Sequence, residues 1–315
     1  MSAFRNPLLP FAPDPWIVFH EGYYYFTYTA HEHIPMRRAK SLADLGSAEE
    51  ITVWRDDHPM RCTEMWAPEI YLLDGPNGRR WYLYYTASDG QDLNHRCFVL
   101  EGQPDDPSGP YTFKGQLRTD PDERLYGIDG HVLVKKDGTM YLLWAGHPGH
   151  RIFIQRLEDP WTTTGERARL ETDGFGCEEV REGPVALQRD GRIFLIYSIC
   201  DTGKPDYKLG MVWCYETDDV TDAAVWRQWP EPMFTRNDAA GVYGPGHNGF
   251  FRSPDGTEDW IVYHAKDVEH YTYERRSPRC QRIAWRADGT PDLGIPVALG
   301  EDVPLPSGDP GPAVG

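Results

Sequence analysis

No apolar run in this 315-residue chain approaches the roughly 20 residues that a helix needs to cross a bilayer. The longest candidate, IFLIYSIC at 193–200, has the length of a strand. Positive charge is scarce too: 32 Lys and Arg stand against 49 Asp and Glu, a formal net charge of −17. Nucleic-acid binding depends on clustered Lys and Arg that displace counterions, and an anionic membrane surface attracts the same residues, so the balance argues against both partners. Cysteine is sparse. Cys62, Cys97, Cys177, Cys200, Cys214 and Cys280 show no CxxC spacing and no pairing rhythm, which reads as free buried thiols in a reducing compartment. The opening MSAFRNPLLPFAPDP lacks the apolar core and small-residue cleavage site of a secretory signal. Thiols and N-terminus together give a cytoplasmic expectation.

Helical periodicity is missing apart from a short helix expected near SLADLGSAEE at 41–50. What the chain has in quantity is turn residues and rings: 31 Gly, 27 Pro and 13% aromatics, the mark of many short strands joined by turns. Five segments share one layout: DPWIVFHEGYYYFTYTA from Asp14, EIYLLDGPNGRRWYLYYTAS from Glu69, DGHVLVKKDGTMYLLWAG from Asp129, EGPVALQRDGRIFLIYS from Glu182 and HNGFFRSPDGTEDWIVYHA from His247. Each opens on a polar residue at or near a Pro or Gly, runs as a short apolar strand, turns at EG, DG or PNG, and returns as an aromatic strand. Gly takes positive φ without steric cost and Asp tolerates it, so such pairs close antiparallel hairpins. The segments start 53 to 65 residues apart, which suits blades of a propeller and leaves little chain for a second domain.

The predicted fold is therefore all-β, a five-bladed β-propeller over residues 1–300, with strands near 95–102, 151–157 and 208–216 filling out the blades. The Pro- and Gly-rich EDVPLPSGDPGPAVG at 301–315 reads as a C-terminal tail or strap. In a propeller the first strand of each blade lines the channel, so Asp14, Glu69, Asp129, Glu182 and His247 are expected to form a polar ring at one mouth. Crowded carboxylates raise one another's pKa, and such a ring calls for a partner, a metal or a catalytic purpose. Glu69 is the exception, because Ala67-Pro68 already explains its strand start. Paired carboxyls near Trp and Tyr match what glycoside hydrolysis requires: one acid for the leaving oxygen, one base for water, and rings that stack on sugars.

The same segments resemble glycoside hydrolase family 43, over nearly the whole chain. The resemblance rests on NPLLPFAPDPWIVFHEGYYYFTYT at 6–29, MWAPEIY at 65–71, IDGHVLVKKDGTMYLLWAG at 128–146, EGPVALQRDGRIFLIYS at 182–198, GVYGPGHNGFF at 241–251 and RCQRIAWRADGTPDLGIPV at 279–297. It implies a general base at Asp14, a general acid at Glu182, and a third carboxylate at Asp129 that tunes the acid. Pro13 replaces the usual Ala before Asp14, and His131 is less usual after IDG. The resemblance further implies that Trp66 flanks the pocket, that Arg279 reaches the reacting sugar, and that His247 of GPGH sits on the axis near a water-ligated ion, often calcium. As a lone His, His247 is equally a hydrogen-bonded core residue, since hard cations prefer oxygen. No cofactor is required for the chemistry. The wording of IPMRRAKSL, EDPWTTTGER and RCQRIAW is nearest to the exo-acting α-L-arabinofuranosidase branch, with inversion at a terminal α-L-arabinofuranosyl linkage of an arabinose-containing oligo- or polysaccharide. A β-D-xylosidase acting on xylose-containing glycans, a mixed specificity, and a noncatalytic carbohydrate-binding propeller remain open alternatives.

Overall fold

A computed structural model describes residues 2–313, which are almost entirely strand and turn. Five antiparallel sheets follow one another along the chain as the blades of a β-propeller. Blade 1 is Trp16–His20, Tyr23–Thr27, Ile34–Ala39 and Glu50–Trp54, and blade 2 is Thr63–Gly75, Gly78–Ser88, Arg96–Glu101 and Thr112–Gln116. Blade 3 comprises Gly127–Val134, Met140–Gly146, Arg151–Asp159 and Thr162–Arg169; blade 4 comprises Arg181–Arg189, Arg192–Ile199, Lys208–Tyr215 and Arg227–Gln228. Blade 5 has three strands, Tyr243–Arg252, Asp259–Lys266 and Ser277–Arg282. The helix expected near 41–50 shrinks to one 3-10 turn, Leu42–Asp44, with Ser41 Oγ accepting from Ala43 N. The first hairpin of blade 4 turns on Asp190 and Gly191 at φ 49° and 76°, a pair of positive values that suits the twist of a two-residue connection. Between blades the core is continuous: Leu143 and Ile154 of blade 3 pack in one cluster with Leu195 and Val212 of blade 4.

The inner strands carry the detail that positions the site. In blades 2 to 5 the inner strand slips register against its neighbour after Trp66, Ile128, Glu182 and Gly246, and in blades 2 and 5 it also slips just before. Each slip holds a residue in the left-handed region: Ala67 at φ 44°, Asp129 at 58°, Gly183 at 51° and His247 at 45°, with Asp14 at 55° ahead of blade 1. The equivalent positions are thus Asp14, Ala67, Asp129, Gly183 and His247. The expected ring is one residue out at Glu182 and two out at Glu69, because an extra bulge residue is invisible to a period-two reading.

A bulge leaves one amide outside the ladder, and the preceding blade satisfies it. Thr29 Oγ1 accepts from Ala67 N (2.8 Å), Thr86 Oγ1 from Asp129 N (3.1 Å) and Ser198 Oγ from His247 N (2.9 Å). Across the closure of the ring, His264 Nδ1 of blade 5 accepts from Asp14 N (3.1 Å). Blade 3 offers Ala145 at this place, opposite Ile128, so Gly183 N turns instead to the Asp129 carboxylate (2.9 Å).

The last blade is completed by the start of the chain. Leu8 N donates to Pro278 O (2.9 Å) and Ala12 N to Arg276 O (3.2 Å). Buried Asn6 imitates a strand residue, its Nδ2 donating to Cys280 O and its Oδ1 accepting from Cys280 N, both at 2.9 Å. The expected tail is tied down in turn: Asp302–Pro304 pairs with Ala3–Arg5, and Asp309 accepts from Leu42 N (2.9 Å). Residues 314–315 lie outside the described residues. Replacing Asn6 by Ala orphans both Cys280 groups, and urea denaturation is expected to show a loss of ~1–3 kcal/mol; a loss below ~0.5 kcal/mol would mean that this side chain does not clasp the ring.

Candidate active site

The inner strands meet at one mouth, where Asp14, Asp129, Glu182 and His247 line a single cavity of about 560 Å³ together with Trp66. Asp14, Asp129 and Glu182 are all buried residues. Glu69 takes no part: it accepts from His131 Nδ1 (2.9 Å) and from the Tyr71 hydroxyl, outside the cavity wall. His131, expected as a change in the pocket wall, also lies outside it, its Nε2 accepting from Ala186 N (3.0 Å).

Asp14 is the most heavily partnered group. Thr29 Oγ1 donates to its Oδ2 (2.6 Å), Arg276 Nη1 donates to Oδ1 (3.2 Å), and His247 Nδ1 stands 3.3 Å from Oδ1. Burial pushes this carboxyl up, but the charges of His247 and Arg276, with help from His264, outweigh it and hold Asp14 well below the usual carboxylate range. His264 itself is pushed down to about 4 by burial, so it stays neutral. Its Nδ1 accepts from Asp14 N while Nε2 meets Thr202 Oγ1 at 3.0 Å.

Asp129 and Glu182 have different surroundings. Asp129 receives only the Gly183 amide, and burial, relieved by His247 but reinforced by the negative Glu182 and Asp14, raises it to about 7. Glu182 Oε1 accepts from the Tyr207 hydroxyl (2.7 Å), and Oε2 lies 3.5 Å from His150 Nε2. Burial raises Glu182 too, but His150, His247 and Tyr207 outweigh it and leave it lowered. A raised Glu182 beside an ionised Asp129 is the expected pattern; in the free site the split runs the other way. The glycine of GPGH serves this arrangement directly, since a Cβ on Gly246 would lie 2.3 Å from the ring of Tyr207.

Trp66 lines the cavity, its Nε1 donating to His31 Nδ1 (3.2 Å) and its ring stacked on His95 with centroids 3.8 Å apart. Arg279 does not reach the cavity. It is fully buried within blade 5, against Ala265 O and Ser277 Oγ, both at 3.4 Å from Nη2. Arg276, just before the strand begins, is the arginine that meets Asp14. Sequence reasoning passed over Arg276, Tyr207 and His150. YERRSPRC carries three arginines: Arg279 lies inside the strand, Arg275 pairs with Asp267, and only Arg276 turns into the mouth. The fit of a calcium ion beside His247 is poor, because His247 Nδ1 faces Asp14. Among the described residues, the one group of three His, Cys, Asp or Glu close enough to share an ion is Cys177, Glu179 and Cys200. A disulfide already joins two of them.

That disulfide, Cys177–Cys200, corrects the reading of six free thiols; Cys62, Cys97, Cys214 and Cys280 are free. Twenty-three residues separate the two cysteines, so neither spacing nor motif announces the pair, which the fold brings together beside the cavity-lining Val180 and Asp201.

Residues 4–291 match the sequence profile described as glycosyl hydrolases family 43. The chain belongs to that family. Among family 43 relatives, it is 37% identical over 317 residues to an extracellular exo-alpha-(1->5)-L-arabinofuranosidase of Streptomyces avermitilis, covering 94% of this chain and 64% of the relative. It is 38% identical over 284 residues to the enzyme of the same name from Streptomyces chartreusis, covering 85% and 84% of the two chains. The chain thus spans just under two thirds of the first of these relatives. The crystal structure of an alpha-L-arabinofuranosidase from Lactobacillus brevis superposes with a TM-score of 0.86 at 32% identity, covering 96% of this chain and all of that one. Both Streptomyces relatives are named extracellular, which overturns the cytoplasmic expectation; the disulfide points the same way.

Two outcomes are expected from this geometry. Ellman titration of denatured, unreduced protein should count four thiols, and the Cys177→Ala/Cys200→Ala double variant should lose ~3 kcal/mol in urea, the chain-entropy value for a loop of this size; six thiols would contradict the pair. Asp129 has a folded pKa above its unfolded one, so its ionisation costs stability progressively from about pH 4 to about pH 7 and fully above that. Asp129→Asn should therefore raise Tm at pH 8 and leave it unchanged near pH 3; no gain at pH 8 would mean that the carboxyl is not strained there.

Proposed function

We propose that this chain hydrolyses terminal α-L-arabinofuranosyl linkages with inversion of the anomeric centre. The supporting observation is the set of three buried carboxyls on one cavity, with environments that drive Asp14 and Asp129 apart. Separated carboxyl pKa values are how a site assigns base and acid roles to chemically similar groups. Asp14, kept ionised by Arg276, His247 and Thr29, is the base that takes a proton from the attacking water. Glu182 donates a proton to the departing glycosidic oxygen. Asp129, one hydrogen bond from the Gly183 amide, adds the negative charge that makes a proton on the acid side harder to lose, and Trp66 offers a ring on the cavity wall. No ion or redox group enters these steps.

The substrate class comes from the relatives: the proteins of Streptomyces avermitilis and Streptomyces chartreusis are named for α-(1→5)-linked L-arabinofuranosides. An arabinose-containing glycan is the proposed partner. A purely sugar-binding propeller has no use for a buried carboxylate held ionised beside another whose pKa is raised to about 7, and that reading is set aside.

Glu182→Ala is expected to cut kcat on arabinofuranosyl disaccharides by ~10²–10⁴-fold while sparing 2,4-dinitrophenyl α-L-arabinofuranoside, whose leaving group needs no proton. Equal losses on both would remove Glu182 from the acid role. Proton NMR of the first product should show the β anomer, and release of the α anomer would end the single-displacement scheme.

A further inference from the structure

One side chain beside the acid has no role in the steps above. His150 sits in the loop His147–His150 between the second and third strands of blade 3, in the left-handed region at φ 51°. Its Nε2 is buried, has no hydrogen-bond partner, and stands 3.5 Å from Glu182 Oε2. Its side chain is 21% exposed against 11% for Glu182, so the imidazole bridges the buried carboxyl and the solvent in the cavity. The groups that face it are Glu182 from blade 4, Asp129 from the inner strand of blade 3, Asp92 from the blade 2 loop and His147 from its own loop, with the Tyr126 ring 5.4 Å away.

The catalytic cycle leaves a deficit at this point. Each turnover ends with a proton on Asp14 and none on Glu182, so the acid must be refilled before the next substrate. Tyr207 cannot do this readily, because burial and the nearby Glu182 charge push its hydroxyl far up.

We propose that His150 is the positioning residue that reprotonates Glu182: Nε2–H gives its proton to Oε2, and a cavity water returns one to the imidazole. The balance closes, since the proton that Asp14 releases to solvent equals the one His150 takes up. The same contact orients Oε2 while Tyr207 holds Oε1. Burial disfavours charge on His150, but Glu182, Asp129 and Asp92 outweigh it and raise its pKa, so in the free site the imidazole stores the proton that Glu182 lacks. This inference rests on the reading of Glu182 as the acid.

The test runs His150→Gln and Glu182→Gln side by side on an α-1,5-linked arabinobioside and on 2,4-dinitrophenyl α-L-arabinofuranoside. His150→Gln should lower kcat on the disaccharide by ~10²-fold and move the alkaline limb of its pH profile, with dinitrophenyl hydrolysis within about two-fold of wild type. Added imidazole should restore disaccharide hydrolysis to His150→Gly, which keeps the proposal testable should the Gln variant fold poorly. If Glu182→Gln discriminates between the substrates but His150→Gln slows both equally, or neither, the relay is overturned and the acid assignment stands. If Glu182→Gln itself slows both equally, the acid assignment fails and the relay falls with it.

Discussion

Five backbone positions held at positive φ are the constraint on which the site depends. At Asp14, Ala67, Asp129 and His247 a side chain occupies a conformation that costs about 1–3 kcal/mol, and Gly183 completes the set without that penalty. Asp and His are among the residues that tolerate it best. The strain is tolerated because each displaced amide is caught by the neighbouring blade, through Thr29, Thr86, Ser198, His264 or the Asp129 carboxylate. The bonds that lock blade to blade at the mouth thus also aim the carboxyls, and any loosening of the ring there is a loosening of the site.

Burial alone would drive all three carboxyls toward neutrality, and what distinguishes them is the company each keeps. Asp14 faces Arg276 and two imidazoles, one of which, His264, is fixed as a neutral acceptor. Glu182 has Tyr207 and His150, while Asp129 has a single amide and two anionic neighbours. The three residues between the late arginines matter for the same reason. An arginine inside the blade is spent on Ala265 and Ser277, whereas one just ahead of the strand is available to keep Asp14 ionised.

The blades were readable because hairpins write themselves locally, in DG and EG pairs between apolar runs. Asp14, Asp129, Glu182 and His247 were readable because they stand beside the Pro and Gly of the bulges. Glu69 misled the repeat alignment, since a bulge shifts the pattern by residues that hydrophobic alternation does not count. Tyr207 and His150 left no local trace: they come from the loops between the second and third strands of blades 4 and 3, whose approach to Glu182 is set by the ring. The disulfide was hidden for a similar reason, as two cysteines 23 residues apart with no motif look like any other pair until blade 4 folds against the loop ahead of it. The cytoplasmic expectation, drawn from the N-terminus and from those same cysteines read as thiols, fails in part for this reason.

The clasp between Asn6 and Cys280 joins positions 274 residues apart. A segment made first therefore finds its partner only after almost everything else has been made. Until then residues 6–12 remain a loose end beside four finished blades, and the fifth lacks its outermost member. The contact closes a loop that spans most of the chain, so forming it carries a large entropic cost. Assembly resembles bending a strip into a band and fastening it last, and the fastening brings Arg276 against Asp14. The carboxylate proposed to activate water acquires its guanidinium partner only when the circle is shut, so an unfastened chain is an unarmed one.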